Sequence, residues 1–88
     1  MSVLMVSSKT NPDKLAKVII LNIKESKVAE VQAIGGKATY KAIQAIAIAR
    51  KIFNRRNDDL ICTPAFAKVK VSEEKREFLA MTFIVGKA

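Results

Sequence analysis

The stretch Val28-Ala29-Glu30-Val31-Gln32-Ala33-Ile34-Gly35-Gly36-Lys37 decides the fold. From Val28 to Ile34 the side chains alternate. Ala29, Val31 and Ala33 fall on one side, and Glu30 and Gln32 on the other. That is the period of a strand with one buried face. Gly35-Gly36 closes it, and the Ala- and Ile-rich residues from Lys37 to about Asn54 favour a helix. Ile43, Ile46, Ala47 and Phe53 fit an inward stripe on that helix. Lys37, Lys41, Gln44, Lys51 and Arg55 fit an outward one, interrupted by Ile48.

Upstream, Val3-Leu4-Met5-Val6 reads as a short buried strand of parallel type. Asn11-Pro12-Asp13 then starts a helix: Asn caps, Pro fits the first turn and Asp suits the dipole. Leu15, Val18, Ile19 and Ile23 share one face as that helix runs toward Ser26. Downstream, Asn54 to Asp59 is a polar turn, and Leu60 to Phe66 is an apolar strand. Pro64 inside it implies an edge or a bulge. Ala67, Val69 and Val71 alternate with Lys68 and Lys70 as a protruding ribbon, and Ser72 to Arg76 make the hairpin loop. Phe78 to Val85 returns as the last strand, apolar on both sides.

The expected fold is therefore α+β, a two-layer β-α-β-α-β-β domain spanning residues 1–88. Right-handed crossovers put both helices on one face of a mixed four-stranded sheet, with the last strand between the second and third. The helices cover one face, whereas the last strand carries apolar side chains on both. A homodimer or higher homo-oligomer is the expected way of covering the other face.

Composition narrows the chemistry. The chain has 88 residues, half of them apolar, with 16 Lys and Arg against 8 Asp and Glu, a net charge of +8. It has no His and a single Cys. Serine-type triads, Cys–His dyads and most zinc sites need His, and a disulfide within the chain needs a second Cys. Cys62 lies in an apolar strand with no base to activate it and reads as an inert core thiol. Asp58-Asp59 and Glu73-Glu74 read as loop carboxylates without the burial of acid–base catalysts. No enzymatic activity, metal or cofactor is expected. The lone Cys suits a reducing compartment. The first six residues lack the charged start of a signal peptide, and Val18–Ile23 is too short to cross a bilayer. A cytoplasmic protein with no membrane partner is the expectation.

The basic excess is concentrated. Residues 1–57 hold eleven Lys and Arg and three acids, whereas residues 58–88 hold five of each. Lys37 to Asn57 contains Lys37, Lys41, Arg50, Lys51, Arg55 and Arg56 and no acid. Such clustering attracts polyanions, although a solvated helix face accounts for it as well. If the crossovers are right-handed, the loops after strands one and two open on the same edge. Lys9 and Lys37 then lie near each other, with Lys14 and Lys41 one turn into each helix. Gly35 and Gly36 admit close backbone approach, and two helix N-termini favour an anion. Arg55 and Arg56 lie at the other end of their helix, where they complement its dipole. Tyr40 and Phe66 read as packing side chains rather than base-stacking platforms.

Several blocks also resemble a known family. Val6-Ser7-Ser8-Lys9-Thr10, Glu30 through Ala38, Lys41-Ala42, Ala47-Ile48-Ala49-Arg50 and Asp59 through Phe66 are similar to the bacterial stage V sporulation protein S family, over nearly the whole chain. The resemblance implies an Alba-like fold, related in topology to the C-terminal domain of a translation initiation factor. It also implies a place in spore formation, septation and developmental control. Alba, an archaeal chromatin protein, binds DNA and RNA as a dimer. It does so through a basic loop after its first strand and an Arg-Gly-Arg turn opening its second helix. The matching places are Lys9 and Gly35-Gly36-Lys37. Lys37 matches the last arginine and Gly35 replaces the first. The hairpin Ser72 to Glu77 is short and carries three acids, where Alba has a longer arm. Two readings stand. One is a non-catalytic nucleic-acid-binding protein contacting phosphates of DNA or RNA through Lys9, Lys14, Gly35, Gly36, Lys37 and Lys41. The other is a protein–protein interaction module of a developmental or cell-division pathway.

Overall fold

A computed structural model describes residues 3–71 and 76–88. Of the expected loop Ser72 to Arg76, residues 72–75 lie outside the described ones, and Arg76 belongs to a strand rather than to the loop. The elements run β1 (Val3–Val6), α1 (Pro12–Ser26), β2 (Val28–Ala33), α2 (Gly36–Asn54), β3 (Leu60–Val71) and β4 (Arg76–Lys87). They form one four-stranded sheet in the order β1-β2-β4-β3. β1 and β2 are parallel, and β4 is antiparallel to both its neighbours. The last strand thus sits between the second and third, as expected.

α1 begins where its sequence says it should. The Asn11 side-chain oxygen accepts from the backbone N–H groups of Asp13 at 2.9 Å and Lys14 at 3.2 Å, satisfying two of the orphan donors of the first turn. Leu15, Ala16, Ile19 and Ile23 are its buried face. They pack with Ala29, Val31 and Ala33 of β2 and Phe83 and Val85 of β4. α2 contributes Ala38, Ala42, Ala45, Ala49 and Phe53 to the same cluster, so both helices cover one face.

The inward stripe of α2 is the expected one only in part: Phe53 is buried and Ile46 packs against the core, but Ile43 and Ala47 do not face inward. Ile43 is 48% exposed and Ala47 is exposed, whereas a row of alanines is buried. Ala16 of α1 and Ala42 and Ala45 of α2 are completely buried. Short side chains let two helices and a sheet approach closely, and isoleucines on that face would overfill the space. Ile46 and Ile48 flank the alanine row, half-buried against the core.

The uncovered sheet face carries Val3 and Met5 of β1, Ile84 of β4 and Ile61 of β3, all exposed. It is apolar in patches only. Glu30 and Gln32 share it, and the Thr82 hydroxyl lies 3.3 Å from the Glu30 Oε2 that accepts its hydrogen bond. Pro64 lies on β3, an edge strand, where a missing N–H is tolerated. Cys62, expected in the core, is half-buried against it. Desolvation raises its thiol pKa, which keeps it protonated and unreactive at neutral pH.

Candidate nucleic-acid interface

The strand registers bring the candidate residues to one end of the molecule. Val6 at the end of β1 is level with Ala33 at the end of β2. The loops that follow leave the same edge of the sheet, and both helix N-termini start there. In the first loop, the Ser7 N–H donates to the Thr10 hydroxyl at 2.9 Å and the Lys9 N–H to the Ser7 hydroxyl at 3.1 Å. The turn closes on itself and leaves Lys9 exposed. Lys14 is exposed on the first turn of α1, and Lys37 on the first turn of α2. Lys41, one turn further, is half-buried.

The two helix starts differ. α1 is capped by Asn11 and has Asp13 in its first turn, so its amides are partly satisfied and an anion meets a carboxylate there. α2 has Gly35 at its N-cap, no side-chain cap and no acid in its first turn. Gly35 has φ 89° and ψ 160°, a backbone region that essentially only glycine enters. Its carbonyl accepts from the Thr39 N–H at 3.0 Å and from the Thr39 hydroxyl at 2.8 Å. Of the two helix starts expected to favour an anion, only that of α2 keeps its first amides free of a side-chain cap.

The protruding ribbon expected over Ala67 to Val71 is present, and its return strand starts at Arg76, two residues before the expected Phe78. Ala33 pairs with Met81, and Met81 in turn with Phe66. Beyond that level β3 and β4 continue paired to Val71 and Arg76. Five further rungs extend the ribbon about 17 Å past the ends of β1 and β2. It contributes to a long axis of 45 Å. The projection leaves from the same edge as the Lys9 and Lys37 loops. Phe66 and Lys68, with Leu79 opposite Lys68, lie on the helix side of the sheet. The arm and the helix starts thus form the two walls of a corner. Phe66 is 73% and Leu79 63% exposed, and Tyr40, on the second turn of α2, is 62% exposed. The expectation that Tyr40 and Phe66 are packing side chains is overturned: Phe66 lies where the helix layer ends, and Tyr40 faces away from the buried row Ala38, Ala42, Ala45 and Ala49 of its own helix. On the other side of the arm, the Arg76 guanidinium stacks 5.2 Å from the Phe78 ring centre.

Arg50 leaves the basic cluster to which its sequence assigned it. Its Nε donates to Asp59 Oδ1 at 2.7 Å and its Nη2 to Oδ2 at 3.2 Å, a bidentate pair. Asn54 Nδ2 donates to Asp59 Oδ1 at 3.0 Å and to the Asp58 carbonyl at 2.8 Å. Arg50, then Asn54, then the Leu60 N–H hold the Asp59 carboxyl far below the ordinary carboxylate range. Asp58 is lowered too, first by Lys87 at 3.0 Å and then by the Asp59 N–H. The Asp59 carboxylate fastens the end of α2 to the start of β3, and the Asp58 carboxylate ties the same turn to the end of β4 through Lys87. Arg55 and Arg56 lie beside them, at the end opposite the loops. Among the described residues no three of His, Cys, Asp and Glu gather as metal ligands. None of the described helices is long and apolar enough to cross a membrane.

A family model described as stage V sporulation protein S matches residues 2–88. The chain belongs to the stage V sporulation protein S family. Among solved structures it is similar to Alba from Thermoplasma volcanium, with a TM-score of 0.65, 12% sequence identity, and coverage of 97% of this chain and 99% of that one. At this identity the likeness concerns the fold alone, and the fold of this stage V sporulation protein S family member is Alba-like.

Proposed function

We propose that this protein is a non-catalytic nucleic-acid-binding regulator in bacterial sporulation and development, and that it grips phosphates at the corner between its helix starts and its arm. The observation that carries the reading is the convergence of Lys9, Lys14, Lys37 and Lys41 with the arm residues Lys68 and Lys70 on one end, around the uncapped start of α2. Gly35 and Gly36 leave the backbone open to a phosphate there. Lysines are point charges and carry no base code, so sequence preference is weak. Phe66 and Tyr40 offer exposed rings for unpaired bases. The protein acts as a homodimer that buries the apolar patches of the open sheet face.

The test is binding to short duplex DNA and to structured RNA across a salt series, beside light scattering. With about three to five phosphates neutralised per subunit, the log–log slope is near −3 to −5. Lys37→Ala lowers affinity for all sequences alike and flattens the slope by about one unit. Arg55→Ala with Arg56→Ala changes it less. If that pair abolishes binding while Lys9 and Lys37 are silent, the site lies at the other end. A second reading, a protein-interaction module, is favoured by the exposed Phe66 and Leu79. It replaces the first if neither nucleic acid binds at low salt.

A further inference from the structure

A cleft of about 620 Å³ opens at the end of the molecule opposite the loops and the arm. It lies where α1 and α2 finish, β2 starts and β4 ends. Ile23, Val28 and Phe53 give it apolar walls, and Lys24, Lys27 and Arg56 line it with positive charge. Asp58, its one acid, is engaged by Lys87 at 3.0 Å. Among the described residues, no carboxylate lies within ion-pair distance of Lys24, Lys27 or Arg56. We propose that this cleft binds a small organic phosphate of nucleotide size, its apolar body against Ile23, Val28 and Phe53 and its phosphates among Lys24, Lys27 and Arg56.

Size and lining agree with that ligand. Sites for small molecules are clefts of roughly 300–1,000 Å³, mostly apolar, with a few convergent polar groups. A bare inorganic anion would leave the apolar walls unused, and a neutral apolar molecule would leave three cations unmatched. Cations at helix C-termini complement the macrodipole, which accounts for Lys24 in the last turn of α1. It does not account for Lys27. That residue closes α1 with φ 70°, in the left-handed region where glycine is the ordinary choice and a side chain is strained. Its N–H donates to the Ile23 carbonyl at 2.8 Å, a bond a glycine would make equally well. The backbone therefore gains nothing from lysine here, whereas the cleft gains a cation at its mouth. Gly86 completes the wall. A Cβ there would stand 3.3 Å from both the Lys27 carbonyl oxygen and Val28 Cγ1, so glycine lets β4 lie close beneath the Lys27–Val28 turn.

The experiment is a titration of the 15N-labelled full chain with ATP, GTP, CTP and UTP in turn, with tripolyphosphate and adenosine alone as the two halves of the ligand. At least one nucleotide is expected to shift the amides of Lys24, Lys27, Val28, Arg56 and Lys87 along one saturable curve. Its affinity is at least tenfold above that of tripolyphosphate or adenosine. Lys27→Gly and Arg56→Ala each weaken it at least fivefold, and Lys17→Ala, on exposed α1 surface, leaves it unchanged. Lys27→Gly also raises the melting temperature by relieving the left-handed strain, so a loss of affinity in that variant is not a loss of fold. The proposal is overturned if no nucleotide exceeds tripolyphosphate, if the shifts spread over Lys9 and Lys37 instead, or if Lys27→Gly binds as the parent does. Nucleic-acid binding at the opposite end is measured separately and stands or falls on its own salt series.

Discussion

Adjacent glycines at 35 and 36 allow the strain in one turn to be weighed directly. Gly35 has φ 89° and ψ 160°, whereas Gly36 is the first residue of α2 and has no positive φ. A Cβ built on either meets nothing within 4 Å, so neither Gly→Ala change creates a clash. Both changes reduce the freedom of the unfolded chain equally, which favours folding by about 0.4–1 kcal/mol. Gly36→Ala keeps that gain. Gly35→Ala sets it against about 1–3 kcal/mol of backbone strain. The unfolded-state contribution cancels between the two variants, so their difference isolates the strain: about 1–3 kcal/mol, with Gly36→Ala above the parent. For a domain of this size the melting temperatures then differ on the order of 5–20 °C. The chain has no Trp, so urea unfolding is followed by far-UV circular dichroism, with equal m-values required for the comparison. Stabilities of the two variants within about 0.5 kcal/mol of each other would refute the assignment of the left-handed turn to Gly35.

Three further outcomes follow from other parts of the molecule. Asp59 and Asp58 are more acidic in the folded chain than in the unfolded one, so their contribution is complete above about pH 4 and is lost as the pH falls below it. Asp59→Asn lowers stability at pH 7 and flattens the acid limb of a urea-stability profile from pH 7 to 2; parallel acid limbs would contradict the pairing with Arg50. Ala45→Leu, which forces a larger side chain against the fully buried alanine row, costs about 1–3 kcal/mol or more. Ile43→Ala on the exposed face costs under about 1 kcal/mol, and the reverse ranking in thermal melts would restore the isoleucine stripe as the inward one. Cys62→Ala costs about 0.5–1 kcal/mol and leaves the proposed nucleic-acid binding unchanged; a folded variant that loses the binding measured for the parent would reveal a working thiol.

Local chemistry made several elements readable. Asn11-Pro12-Asp13 places the start of α1 because a cap acts through bonds two and three residues away. The alternation from Ala29 to Ala33 identifies the buried face of β2 because each side chain has only two sides to choose from. Helix α2 was harder. Hydrophobicity ranks isoleucine above alanine, but the space between two helices and a sheet is decided by volume, and volume depends on partners distant in sequence. The exposure of Phe66 and Tyr40 is hidden for related reasons: for Phe66 it follows from where the helix layer stops, and for Tyr40 from which face of α2 the alanines bury. The basic end is legible from parallel strands and loop position, and the alternation around Lys68 and Lys70 marks a ribbon; that the ribbon projects from the same end as Lys9 and Lys37 is not legible. That depends on how far β3 and β4 stay paired. Arg50 looked free because Asp59 is nine residues away across a helix end.

Pro64 has a consequence for assembly. A sheet grows when a new strand reads the unpaired donors and acceptors along its rim. On the β3 rim, a proline in an edge strand turns its nitrogen to solvent and offers no hydrogen, and Lys68 and Lys70 add charge further along. The β1 rim is four residues long. Neither border offers a long uninterrupted template, so the rims of this sheet resist the strand-by-strand growth from which fibrils are built.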